Sequence, residues 1–165
     1  FEELAAQALE KKQTMLFLDR VTDPQNLWSI MRSLACFGIF SLVLPFHESV
    51  QVNETVLRVA CGAENYISVA MVKSLPQALA RMREKGWTVF GAVTTGGNPV
   101  YQVKFLFPCC LVIGSEGEGI RPGVLKYVDE KVTLPMEGAA LSFNVAVAAA
   151  IFGYEMVRQK RAYSV

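Results

Sequence analysis

Residues 109–119 read Cys109-Cys110-Leu111-Val112-Ile113-Gly114-Ser115-Glu116-Gly117-Glu118-Gly119. Five apolar residues without a polar interruption suit a strand covered on both faces. The glycines that follow permit a sharp turn, positive φ angles and close backbone approach to a ligand. A buried strand that empties into a polar loop is the repeating unit of parallel α/β sheets. Ligands in such sheets bind beyond the carboxyl ends of the strands.

Outward from this stretch the same unit recurs. Met15–Leu18 reads as a first strand, followed by the loop Arg20–Asp23. Asp23 is placed as an N-cap, Pro24 as the first helical residue, and the helix runs to Phe37 and stops at Gly38. Ser41–Leu44 is a second strand, ended by Pro45, and Asn53 can cap a helix through Cys61. Ser68–Val72 is a third strand, and Ser74–Lys85 a helix closed by Gly86. Thr88–Val93, the fourth strand, empties into the turn Thr94-Thr95-Gly96-Gly97-Asn98-Pro99. Beyond the fifth strand come a short helix Pro122–Tyr127, a sixth strand Lys131–Leu134 and a closing helix Ser142–Gln159. The expectation is α/β architecture: a mostly parallel sheet with helices on both faces. No internal repeat or linker divides the 165 residues, so one domain over 1–165 is expected.

Composition sets outer limits. With 52% hydrophobic and 19% charged residues, the chain has enough apolar surface for a core and too little charge for disorder. Sixteen basic against fifteen acidic residues give +1, so no global basic footprint advertises nucleic acid. Such a footprint is either local or carried by another domain, and the helical pattern at Phe1 leaves room for one upstream. Phe1–Lys12 is amphipathic and acidic, unlike a secretory leader. The longest apolar stretch, Ala139–Tyr154, is interrupted by Ser142 and Asn144 and falls short of the roughly 20 residues a bilayer needs. Cys36, Cys61, Cys109 and Cys110 have no CxxC spacing, which predicts a reduced intracellular protein with buried thiols. The single histidine, His47, cannot assemble a metal site alone, and no metal is expected.

The polar clusters after the strands carry the chemistry. A dinucleotide fold places its glycine-rich turn after the first strand. Here Asp19-Arg20-Val21-Thr22-Asp23-Pro24-Gln25-Asn26 holds no glycine, and residues 114–119 lack both standard phosphate-cradle spacings. That loop is either a structural turn or a binding loop. Glu116 is either a solvated loop residue or an acceptor that fastens the loop or a substrate. Ser142 or Asn144 can cap the final helix, or offer hydrogen bonds at its N-terminal end. Gly153, inside that helix, costs about 1 kcal/mol relative to alanine, which predicts a tight crossing or a subunit contact.

Three ordered motifs then converge. Leu18-Asp19-Arg20-Val21-Thr22-Asp23-Pro24-Gln25-Asn26-Leu27 continues to Arg32-Ser33; the second is Leu111–Gly119; the third is Leu134-Pro135-Met136 with Ser142-Phe143-Asn144-Val145-Ala146-Val147-Ala148. Over nearly the whole chain this set resembles the SpoU-type (TrmH-like) RNA ribose methyltransferases of the SPOUT superfamily. Val59-Ala60-Cys61-Gly62-Ala63 is similar to the bacterial 23S rRNA guanosine 2′-O-methyltransferase branch.

The resemblance implies methyl transfer from S-adenosylmethionine to a ribose 2′-hydroxyl in RNA, with guanosine in 23S rRNA as the target. Transfer RNA is the alternative substrate, and a non-catalytic RNA-binding or ribosome-assembly module the alternative function. It further implies a C-terminal deep trefoil knot, a cytoplasmic homodimer with sites near the subunit interface, and an upstream RNA-binding domain. Cofactor contacts fall by motif on Gly114, Leu134, Met136 and Phe143, with Thr94 in the loop after Val93. Catalytic importance falls on Asn26, Arg32, Glu116, Ser142 and Asn144. Because guanidinium stays protonated, Arg32 is read as binding the RNA phosphate and the developing alkoxide rather than as a base. Two positions depart from the family pattern: Phe143 replaces leucine, and Trp28 replaces glycine. The indole can stack on a base, pack in a dimer interface or obstruct the site.

Overall fold

Residues 14–19 and 109–114 lie side by side at the centre of a seven-stranded sheet, and every residue of both strands is buried. The computed structural model describes residues 1–47, 66–139 and 141–162. Within them the strands are β1 (Thr14–Asp19), β2 (Phe40–Pro45), β3 (Val69–Val72), β4 (Thr88–Ala92), β5 (Asn98–Pro99), β6 (Cys109–Gly114) and β7 (Glu130–Thr133). The helices are α1 (Glu2–Glu10), α2 (Pro24–Phe37), α3 (Leu75–Glu84), α4 (Pro122–Leu125) and α5 (Val145–Ala162). The spatial order is β3-β2-β1-β6-β4-β7-β5, and each pairing is parallel.

Side chains of a strand alternate between faces, so an unbroken apolar strand feeds two cores. Leu16, Leu18, Leu111 and Ile113 join Leu27, Ile30, Met31 and Leu34 of α2 and Ala149, Phe152 and Met156 of α5. Met15, Phe17, Cys110 and Val112 join Leu4, Ala5 and Ala8 of α1, Leu75, Leu79 and Met82 of α3, and Val124 of α4. Register aligns the strand ends that matter: Asp19 pairs with Gly114, and Ile113 with both Leu18 and Ala92.

The start and stop signals of α2 act as read. The Asp23 side chain accepts from the Gln25 N–H at 2.9 Å, and Gly38 closes the helix at φ +72°. Elsewhere boundaries shift. The closing helix begins at Val145 rather than Ser142, because Asn144 is its cap: Asn144 Oδ1 accepts from the N–H groups of Ala146 and Val147 at 2.9 and 3.3 Å. The turn after β4 ends in a strand, since Asn98 and Pro99 pair with Val132 and Thr133 at the sheet edge, where a proline is tolerated. The helix expected from Asn53, and Val59–Ala63, lie outside the described residues.

Gly153 marks a tight crossing. A Cβ there would sit 2.7 Å from Phe37 Cε2, so α2 and α5 approach as closely as this pair allows. Gln159 fastens the far end of α5: its Oε1 accepts from Phe105 N at 3.0 Å, and its Nε2 donates to Val103 O at 2.8 Å. The thiols are not uniformly buried. Cys109 and Cys110 are, but Cys36, near the end of α2, is exposed. Among the described residues no helix is long and apolar enough to cross a membrane.

Candidate active site

Asp19 ends β1 fully buried, and a carboxylate there requires partners. Arg121 supplies them: its backbone N–H reaches Oδ2 at 2.8 Å, and its Nε and terminal nitrogen each reach Oδ1 at 2.7 Å. This ion pair ties the segment after the glycine-rich loop to the sheet's carboxyl end. The loop between is folded on itself, with Ser115 and Gly119 forming an antiparallel bridge. A Cβ on Gly114 would lie 2.0 Å from the Gly119 carbonyl carbon, so backbone packs directly on backbone. Gly117 and Gly119 take φ of +86° and +67°. The result is a tight loop with Glu116 at its tip. A second ion pair, Arg20 to Glu118, joins the first and second motif segments.

Glu116 is an acceptor, and not merely a solvated loop residue. Its Oε1 receives Asn144 Nδ2 at 2.6 Å, Val145 N at 3.0 Å and Asn26 Nδ2 at 3.4 Å. Asn144 Nδ2 also donates to Asn26 Oδ1 at 2.9 Å. Three residues from the first turn of α2, the loop after β6 and the cap of α5 thereby form one hub. A carboxylate at the N-terminus of α5 complements both its unpaired N–H groups and its positive dipole end.

Beside the hub opens a cleft of about 870 Å³. Thr94, Gly114, Leu134, Met136 and Phe143 all line it, as do Glu116 and Ser142. Its walls come from the segments after β4, β6 and β7 and from the start of α5. Thr133 Oγ1 donates to Thr94 O at 3.1 Å, which holds the loop after β4 against β7. Ser142 is exposed in the cleft wall, apart from the hub's hydrogen bonds. Arg32 is not brought to this cleft. It is exposed on α2, with its guanidinium carbon 5.7 Å from the centroid of the Trp28 ring. His47 is exposed and does not line the cleft. Among the described residues no group of three or more His, Cys, Asp or Glu is placed to hold a metal.

Asp19 and Arg121 were missing from the sequence-derived site. The available signal for Asp19 was its place: an acid directly after a wholly apolar strand. Arg121 lies outside the motifs and gave no such signal.

The profile of the SpoU rRNA Methylase family matches residues 13–154. A 23S rRNA (guanosine-2′-O-)-methyltransferase of Pectobacterium atrosepticum is 37% identical over 146 residues, covering 88% of this chain and 60% of that protein. A TrmH-family protein of Porphyromonas gingivalis is 34% identical with a TM-score of 0.83, over 89% of this chain and 60% of the other. The SpoU methyltransferase AviRb of Streptomyces viridochromogenes, solved with AdoMet, is 27% identical with a TM-score of 0.80, over 90% of this chain and 60% of its own. The chain thus spans less than two thirds of the length of these relatives. It belongs to the SpoU rRNA methylase family.

Proposed function

We propose that this chain is the methyl-transfer domain of an RNA 2′-O-ribose methyltransferase that uses S-adenosylmethionine and acts on a guanosine of 23S rRNA. The observation that carries the reading is the cleft itself, which gathers segments of the second and third motifs beside the Asn26–Glu116–Asn144 hub. The name of the Pectobacterium relative supports the substrate, and the AviRb complex supports the cofactor. In the relatives the chain accounts for only part of the length, which leaves room for an upstream RNA-binding domain. The same reading takes the protein as cytoplasmic, where bacterial ribosomal RNA is found.

The cleft suits the cofactor. Its volume is in the range that small-molecule sites occupy, and Leu134, Met136 and Phe143 offer apolar walls for an adenine. Gly114 and Thr94 bring backbone groups to the same space. When bound, S-adenosylmethionine supplies an electrophilic methyl group on a cationic sulfur. Glu116 and the two asparagines hold the loop and the start of α5 in register, so that the cleft keeps its shape. Ser142 stands where it can hydrogen-bond a ligand in the cleft. Arg32 binds the RNA phosphate and stabilises the negative charge that develops on the 2′-oxygen.

Arg32 lies outside the cleft of its own chain, which fits delivery to the cleft of a second subunit. Val147, Ile151 and Tyr154 form an exposed apolar stripe on α5, near exposed Leu141 and Phe143. That stripe supports a homodimer through α5. The C-terminal trefoil knot belongs to the same reading, in which Leu134, Met136, Leu141 and Phe143 line the cleft ahead of α5.

Full-length protein incubated with radiolabelled S-adenosylmethionine and unmethylated 23S rRNA should label one guanosine and render its phosphodiester resistant to alkali. Label in transfer RNA alone would move the substrate; label in neither would overturn the proposal. Arg32→Lys keeps the charge but loses the planar fork. Its single-turnover rate should drop by about 10-fold or more, and full activity would remove Arg32 from the chemistry.

A further inference from the structure

Fixing an exposed arginine costs side-chain entropy, and most arginines here are fixed by acids. Arg20, Arg81, Arg83, Arg121 and Arg158 each pair with a carboxylate. Among the described residues Arg32 and Arg161 pair with no carboxylate, and Arg32 alone of these two stands over an aromatic ring, the indole of Trp28. Trp28 and Arg32 stand four residues apart on α2, a spacing that puts them on one helix face. A guanidinium carbon 5.7 Å from the ring centroid is within reach of the ring's negative face.

The kind of partner matters chemically. A carboxylate would occupy in-plane N–H donors and cancel the charge. An aromatic face takes the π surface of the guanidinium and leaves its edge donors and its charge available. The ring is itself anchored, for Trp28 is half-buried and its Nε1 is wholly buried without a partner among the described residues. An unpaired buried N–H is a cost that an aliphatic residue of similar size would avoid. The chain carries that cost at a position where the ring lies under the Arg32 guanidinium.

We propose that Trp28 is a positioning residue that presents Arg32 with its donors open to an RNA phosphate. The inference rests on the reading of Arg32 as the phosphate contact. Trp28 holds the guanidinium plane in place, so less freedom is lost when RNA binds.

The test is a double-mutant cycle on full-length protein, using unmethylated 23S rRNA transcript and reading both RNA affinity and single-turnover methyl transfer. Trp28→Leu should weaken RNA binding by about 3- to 10-fold, leaving the KM for S-adenosylmethionine and the melting temperature unmoved. Trp28→Tyr should recover most of the loss. In an Arg32→Ala background, Trp28→Leu should add nothing further. Additive losses would overturn the inference by showing the ring acting on RNA directly, as would a Leu variant equal to the Tyr variant. If Arg32→Ala is harmless, the reading of Arg32 falls and this inference with it. If Arg32→Ala is damaging while Trp28→Leu is not, only the inference falls. Should leucine at 28 disturb α2, singly to triply fluorinated tryptophan at that position provides a second route. Fluorination weakens the ring face while nearly keeping its shape, so RNA affinity should fall stepwise. A flat series would also overturn the proposal.

Discussion

At the scale of single residues, environment separates groups of identical type. Burial pushes the Cys109 thiol up to about 12 and raises Cys110 well above the ordinary thiol range, whereas Cys36 is exposed. Thiolate is the reactive form. Of these three, only Cys36 should therefore be alkylated within minutes at pH 8 in the native protein, as peptide mass spectrometry would show. Rapid modification of Cys109 or Cys110 would mean that β6 opens. Glu116 is exposed yet constrained, because three donors converge on one of its oxygens. Glu116→Ala removes one oxygen that accepts three hydrogen bonds, each worth on the order of 1 kcal/mol. Methyl transfer should fall by about 10- to 100-fold, with circular dichroism unchanged. A variant of normal rate would show that the hub is dispensable. This part of the site was partly legible: an acid between glycines after a strand invited attention, and the motifs singled out both asparagines. Their meeting was not legible, since 118 positions separate Asn26 from Asn144.

At the scale of elements, the helix and strand types followed from period and punctuation, because Asp23, Pro24 and Gly38 state the limits of α2 in local chemistry. The strand order did not. Nothing local in 88–92 or 109–114 says that β6 inserts between β1 and β4; only the packing of both faces decides it. Asn98–Pro99 was hidden for a related reason, as turn residues became a strand once β7 offered an edge. At the far end of α5, Gln159 ties the helix to the segment before β6. Gln159→Leu leaves the Phe105 N–H and the Val103 carbonyl unpaired, at a cost of about 2–4 kcal/mol. A drop of roughly 5–12 °C in melting temperature should follow for a domain of this size, and an unchanged midpoint would show that water replaces the amide. Glu155 holds the same glutamine through Nε2. Hydrogen bonding from Arg158 keeps the Glu155 carboxyl below its ordinary range. Its contribution is present above the unfolded carboxylate range and is lost as pH falls through the lowered folded value.

At the scale of the whole molecule, the proposed assembly depends on the stripe of Val147, Ile151 and Tyr154. Ile151→Lys places a charge within it and should weaken self-association by at least about tenfold. Sedimentation at micromolar concentration should then report a monomer, and an unchanged mass would place the interface elsewhere. One further consequence concerns timing. The seven described strands are complete by Thr133, but the hub closes only when Asn144 and Val145 reach Glu116. During synthesis from the N-terminus, the sheet's residues emerge before the last contributors to the site. A nascent chain halted before Asn144 would hold the seven described strands and no completed hub, so competence to react waits on synthesis of the start of α5.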